Sequence, residues 1–245
     1  MQGYLKPVIV VSALLTVVCF WNRNSLPANY EPVAGLEFEP QQTPLRLEPI
    51  STEFNGVDYK ITPRFNYEMT GLVVSFRYHD SESRLHRLSN DHLNMLDVCV
   101  VWGKTARSPF LSKIDIWNGV FTCNLQTRDR QAWDSISMEE VSNNHLISDN
   151  LALRDSVSGL RVGDQIRVRG YLADYQANGA VPRVSSITRS DQGNGACETI
   201  YVTYFERLAP GSSPWRMGFY VSFAVLLFAL LFYLLSPHRA RELNY

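Results

Sequence analysis

The chain lacks an excess of basic residues. Its 245 residues include 23 Lys and Arg against 24 Asp and Glu, so the formal net charge is −1 at pH 7. A nucleic-acid groove attracts phosphates through a surplus of Lys and Arg. The balanced charge therefore argues against a nucleic-acid-binding protein, and we expect no nucleic-acid partner.

Motifs for several common chemistries are also missing. Cys-x-x-Cys, Cys-x-x-Cys-His, Gly-x-Ser-x-Gly and a phosphate-binding loop do not occur, which argues against disulfide exchange, haem attachment, serine-esterase chemistry and nucleotide hydrolysis. The histidines show no His-x-x-x-His spacing for zinc, and His145 has no evident catalytic partner. We therefore predict no catalytic residue, no metal and no cofactor. An enzyme of unknown reaction ranks third among the functional hypotheses.

Two long apolar runs lie at the chain ends. Met217–Leu235 contains nineteen residues without a charge, enough to cross the ~30 Å hydrocarbon core at ~1.5 Å per residue. Pro7–Trp21 is apolar over fifteen residues, which is the length of a signal-peptide core but short for a span. No good cleavage site follows it. We therefore predict an uncleaved membrane anchor over residues 1–21, with a signal peptide as the alternative.

The residues that flank the apolar runs predict the orientation of the chain in the membrane. Residues 236–245 form a tail with His238, Arg239 and Arg241, and the positive-inside rule then places both chain ends in the cytoplasm. No Asn-x-Ser/Thr sequon occurs, which for an exported domain favours a bacterial source. We expect two spans in a bacterial inner membrane and a periplasmic main domain. Gly218 and Ser222 predict close helix packing, on the first span or on a partner's helix.

The residues between the two apolar runs divide into two regions. Residues 22–56 carry five prolines before position 50 and predict an extended tether. Residues 57–209 are rich in strand formers, with Asn118-Gly119 and Asn178-Gly179 as hairpin turns. Residues 129–160 interrupt this pattern and predict two short helices. The fold class is thus mainly β, with a helical insert and flanking transmembrane helices.

The order of these elements resembles an OB-type Greek-key barrel. The octet Gly-Asp-Gln-Ile-Arg-Val-Arg-Gly at 163–170 is similar to a strand common in OB-like domains. Such domains bind oligonucleotides, oligosaccharides or proteins on one barrel face. The Asp-x-Cys-x-x-Trp-Gly stretch at 97–103 and Gly-Ala-Cys-Glu at 195–198 are similar to stretches in bacterial envelope proteins of unassigned function.

The remaining candidate functional residues are cysteines that could form a disulfide and arginines that could bind an anion. Three cysteines of the exported region, Cys99, Cys123 and Cys197, predict one disulfide and one leftover thiol in an oxidising compartment, and the spacing leaves the pairing open. Arg167 and Arg169 share a strand face beside Tyr171, where they could bind an anion. An ordinary ion-paired exterior face is the simpler interpretation.

These observations favour an accessory or structural subunit that binds another membrane or envelope protein through a periplasmic OB-like domain. The alternative is a module that binds glycan or peptidoglycan fragments, or a small anionic ligand, near Arg167, Arg169 and Tyr171. The lipid bilayer is an expected partner, and a homo-oligomer stays open.

Overall fold

The computed structural model describes residues 2–27, 30–79, 88–119, 121–188 and 197–236. These fall into two compact units. One unit joins the two chain ends, and the other contains Leu26–Gly211.

The first unit is a pair of helices, α1 (Gln2–Asn22) and α5 (Pro214–Leu235). Both are long and apolar enough to cross a membrane. Each begins a few residues before the apolar run that predicted it, and Pro214 occupies the first turn of α5, where its missing N–H costs no hydrogen bond. The basic tail residues that predicted the orientation, His238, Arg239 and Arg241, lie outside the described residues.

The two predicted packing residues lie against α1. Thr16 Oγ1 donates a hydrogen bond to Ser222 Oγ at 3.1 Å. A Cβ atom at Gly218 would lie 2.9 Å from Cys19 Sγ, so the glycine permits the close approach of α5 to α1. Gly218 and Ser222 thus serve the contact between the chain's own helices.

The second unit is built on a ring of five strands. They are β3 (Val57–Tyr78), β4 (Asn94–Val101), β7 (Val141–Ile147), β8 (Gln165–Ala177) and β9 (Glu198–Ala209). The ring runs β3–β4–β7–β9–β8 and closes where β8 pairs with β3. The β7–β9 pair is parallel and the other four pairs are antiparallel. The fold is mainly β, as predicted.

Alternation along the strands creates the core. In β3, Tyr59 and Ile61 are buried, whereas Asp58 and Lys60, which alternate with them, are exposed, as expected for period 2. Gly170 allows β8 to approach β9 closely, because a Cβ there would lie 2.1 Å from the Tyr201 carbonyl oxygen.

The segment expected to be a tether is partly folded onto this ring. β1 (Gln41–Pro44) and β2 (Ile50–Phe54) both pair with β3, and Leu36 is fully buried in the core. The 22–56 prediction is therefore corrected: the segment belongs to the β unit from Leu26 onwards. Its prolines mislead because proline is tolerated in edge strands and at strand ends, as at Pro44.

A two-stranded ribbon follows β4. Its strands, β5 (Asp115–Asn118) and β6 (Cys123–Gln126), pair antiparallel, which confirms the hairpin predicted at Asn118-Gly119. The loop is longer than a two-residue turn, since Asn118 lies opposite Cys123. A Cys99–Cys123 disulfide ties the ribbon to β4.

Short helices fill the connections. They are α2 (Gly103–Ala106), α3 (Arg130–Asp134) and α4 (Leu151–Val157). Asp129 and Asn150 cap α3 and α4 by accepting backbone N–H bonds. The two short helices predicted between 129 and 160 are confirmed. Strand β7, which lies between them, was not predicted.

Candidate functional site

The predicted arginine face is present on β8. Arg169 Nε lies 3.0 Å from a Glu68 carboxylate oxygen. Arg167 lies 3.6 Å from both Glu68 and Glu206. Both guanidinium groups therefore have carboxylate partners on neighbouring strands, the arrangement of an ion-paired exterior face.

Tyr171, the third residue of the predicted face, stacks on Tyr201 with ring centroids 6.5 Å apart. The Tyr201 hydroxyl donates to Asp149 at 2.9 Å. The guanidinium carbon of Arg183 lies 5.1 Å from the centroid of the Tyr175 ring, which is on the same strand as Tyr171. Tyr171 is thus held by an aromatic neighbour.

The structure resolves the cysteine pairing that the sequence left open. Cys99 and Cys123 are bonded, with their Cα atoms 5.7 Å apart. Cys197 is a free thiol and is partly exposed, and Cys19 in α1 is also free.

A second group of polar residues, not predicted as a site, lies on neighbouring strands. Asp97 of β4 is directly opposite His145 of β7, and Cys99 is opposite Asn143. These positions alternate with the core positions Leu96, Val98, Val100 and Leu146. Because successive side chains of a strand point to opposite faces, the polar residues share the outer face of β4 and β7.

Asp97 is the centre of this group. Its side chain is fully buried. One carboxylate oxygen lies 2.5 Å from His145 Nδ1 and accepts a hydrogen bond from Asn94 Nδ2 at 3.0 Å. The other lies 2.6 Å from His79 Nε2. A buried carboxylate is thus shared by two imidazoles.

This arrangement shifts the pKa values of Asp97 and His145 in opposite directions. Burial by itself would raise the pKa of Asp97, but the adjacent imidazoles of His145 and His79 outweigh it and hold that pKa well below its usual range. Burial by itself would lower the pKa of His145, but the neighbouring Asp97 carboxylate and, after it, the Cys197 side chain outweigh burial and raise that pKa to about 10. At neutral pH, His145 is therefore an imidazolium paired with the Asp97 carboxylate.

Cys197 lies beside Asn143 and the ribbon loop. Its sulfur is 3.3 Å from Asn143 Nδ2. The Phe121 carbonyl oxygen lies 3.4 Å from the same sulfur.

The ribbon loop completes the group. The Phe121 ring stacks on His79 at 5.9 Å and meets the edge of His145 at 5.7 Å. Asn118 Nδ2 donates to Asn143 Oδ1 at 3.0 Å, which orients the amide that reaches Cys197. The disulfide beside this loop holds both contacts in place. We call Asp97, Asn143, His145 and Cys197 the β4–β7 cluster.

Within the described part of the chain, no group of three or more His, Cys, Asp or Glu side chains is arranged to hold a metal ion. His92 is buried, and its backbone N–H donates to the Tyr59 hydroxyl at 2.9 Å. His86 lies outside the described residues.

Comparisons with protein-family models, curated proteins and solved structures found no match. Sequence reasoning missed the cluster because its members are spread over 100 positions and meet only through strand register. The available signal was the alternation of Asp97 and Cys99 in one apolar strand, together with Asn143 and His145 two apart in another segment.

Proposed function

We propose that the β unit is an OB-like barrel held outside a bacterial inner membrane by α1 and α5. In this proposal the chain is an accessory or structural subunit that binds another membrane or envelope protein. The ring order supports the OB-like assignment. Along the chain, β8 and β9 are the fourth and fifth strands of the ring. Around the ring their order is reversed, because β9 pairs in parallel with β7 and β8 pairs with β3. Helix α4 lies between the third and fourth strands.

The disulfide supports the external location. Disulfides form and persist in oxidising compartments and are rare in the cytosol. The Cys99–Cys123 bond lies within the β unit. A β unit outside the membrane, anchored by two spans with both ends inside, agrees with this chemistry.

The proposed partner face is inferred from large apolar side chains that are exposed on the insertion between β4 and β7. OB-like barrels bind ligands on the face of their second and third strands, here β4 and β7. The insertion on this face carries Trp117, Trp133 and Met138 with 46%, 47% and 56% of their surface exposed. Exposed Trp and Met are enriched in protein interfaces. We therefore assign the partner to this face.

Co-purification from mildly solubilised membranes tests the proposal. The full chain carries Trp117→Ala, Trp133→Ala and Met138→Ala together. The matched control replaces three other exposed apolar side chains of the β unit by Ala, namely Leu151, Val181 and Val184. We expect a defined partner to be lost only from the first variant. Recovery of the chain alone, or equal loss in both variants, contradicts the proposal.

The alternative ligand is a glycan fragment or a small anion on Arg167, Arg169 and Tyr171. It would have to compete with Glu68 and Glu206 for the two guanidinium groups. Saturable binding of cell-wall fragments to the full chain, lost in Arg167→Ala/Arg169→Ala, would favour this alternative over the protein partner.

A further inference from the structure

The three cysteines of the β unit meet on one face of the ring. Cys99 of β4 lies directly opposite Asn143 of β7. The parallel pairing of β7 with β9 begins at Asn144 and Glu198, so Cys197 occupies the position beside Asn143 on the third strand. The contact of 3.3 Å between Cys197 Sγ and Asn143 Nδ2 agrees with this placement. Cys99, Asn143 and Cys197 therefore form one row across β4, β7 and the start of β9.

Cys123 reaches this row from the ribbon, where it is bonded to Cys99. Phe121, two positions before Cys123, extends to the other end of the row. Its carbonyl oxygen lies 3.2 Å from Asn143 Nδ2 and 3.4 Å from Cys197 Sγ. One short segment of the ribbon loop thus contacts both cysteines that stand on the strands.

Strand spacing prevents Cys99 and Cys197 from bonding to each other. They are two strands apart, and neighbouring strands are ~4.8 Å apart, which separates their Cα atoms by ~9.6 Å. A disulfide joins Cα atoms that are at most ~6.8 Å apart. Cys123 is on neither strand, and its Cα lies 5.7 Å from that of Cys99. A shift of the ribbon loop by about one strand spacing along the row would bring Cys123 within disulfide distance of Cys197.

We propose that Cys197 exchanges with Cys99 as the disulfide partner of Cys123, so that the ribbon is held either by β4 or by the start of β9. In thiol–disulfide exchange a thiolate attacks one sulfur of a disulfide, and the rate depends on the access of both groups. Cys197 and Cys123 are both partly exposed, whereas Cys99 is fully buried. The attack therefore falls on the Cys123 sulfur. The proposal does not rest on the partner protein proposed above.

The step needs no outside oxidant or reductant. Cys197 loses its proton, and its sulfur attacks the Cys123 sulfur. The Cys123–Cys197 bond forms, the Cys99–Cys123 bond breaks, and Cys99 leaves as a thiolate that takes up a proton. The β unit keeps one disulfide and one thiol throughout. The exchange changes the strand to which the ribbon is attached, and the ribbon carries the exposed Trp117.

Disulfide mapping of the unaltered full chain in detergent tests the exchange. The folded chain is kept at pH 8, samples are blocked with N-ethylmaleimide at increasing times, and peptide mass spectrometry identifies bonded and blocked cysteines. We expect a Cys123–Cys197 peptide to appear beside the Cys99–Cys123 peptide, with Cys99 blocked in the same population. No Cys99–Cys197 peptide should form. Blocking of Cys197 alone at every time, or a Cys99–Cys197 bond in the folded chain, overturns the proposal.

Two matched variants isolate the geometry. Both carry Cys19→Ser, and each loses the same native disulfide. In Cys99→Ser, Cys123 and Cys197 should join under mild oxidation by oxidised glutathione. In Cys123→Ser, Cys99 and Cys197 should stay unbonded to each other, because they are two strands apart. Two unbonded cysteines in Cys99→Ser, or equally fast bonding in both variants, contradicts the proposal. Tryptophan-fluorescence unfolding shows whether each variant is folded, and the mapping of the unaltered chain needs neither variant.

Discussion

Replacing Asp97 by Asn should remove a dependence of stability on pH. In the folded chain, the pKa of His145 is raised from 6.5 to about 10. Stability gained from a raised pKa is complete below the unfolded-state value and is lost as pH rises towards the folded-state value. The paired His145 therefore contributes fully below pH 6.5 and progressively less above it.

The magnitude follows from linkage. For each proton that the folded state retains and the unfolded state has released, the unfolding free energy falls by up to about 1.4 kcal/mol per pH unit. Between pH 6.5 and 8, where the unfolded imidazole completes its titration, the unaltered chain should lose about 1.5 kcal/mol of unfolding free energy through His145. Asp97→Asn should show little of this loss. At pH 6.5 the variant should be less stable by about 3–5 kcal/mol, because a buried pair is broken.

Chemical denaturation of the full chain in detergent, followed by tryptophan fluorescence at pH 6.5 and pH 8, measures both quantities. Asp164→Asn is the matched control. Asp164 is equally buried, and its carboxylate lies 3.1 Å from Arg207 Nε, a partner that does not titrate in this range. It should destabilise without changing the pH dependence. If the unaltered chain and Asp97→Asn lose the same free energy between the two pH values, Asp97 does not hold His145 protonated.

Two further changes test the disulfide and the helix pair. Replacing Cys99 and Cys123 by Ser should lower the unfolding free energy of the β unit by about 3.5 kcal/mol for a loop of 24 residues, measured by denaturation, while Cys19→Ser should have no such effect. Gly218→Cys should cross-link to Cys19 under mild oxidation, because a Cβ there would lie 3.9 Å from Cys19 Cβ, within disulfide range. Ala224→Cys, on the exposed side of α5, is the control. The cross-link is detected on a gel after the chain is cleaved between the two helices. A cross-link in both variants, or in neither, would contradict the packing of α5 on α1.

Local patterns were enough to predict much of the fold. The apolar runs predicted α1 and α5, since uncharged runs of this length are typical of membrane-spanning helices. The Asn-Gly pairs gave two turns, and at Asn178-Gly179 both residues have positive φ. The Gly163-Asp164 pair marked the start of β8 at Gln165.

Strand β7 and the cluster escaped prediction for one shared reason. The sequence of β7, VSNNHLI, has polar residues on both faces of the strand. Asn143 and His145 are polar because they belong to the cluster, and Asn144 is buried and donates to strand carbonyl groups. A strand without apolar alternation carries no period-2 signal. The contacts of Asp97 and Cys197 then depend on the register of that strand.

Site-specific photo-cross-linking tests the proposed partner face most directly. A photoreactive amino acid replaces Trp117 in the full chain, and in a second chain it replaces Val181, which is 88% exposed. Irradiated membranes should give one adduct of defined mass, containing a different protein, from position 117 and not from position 181. Equal adducts from both positions, adducts only with a second copy of this chain, or no adduct at position 117 would contradict the account.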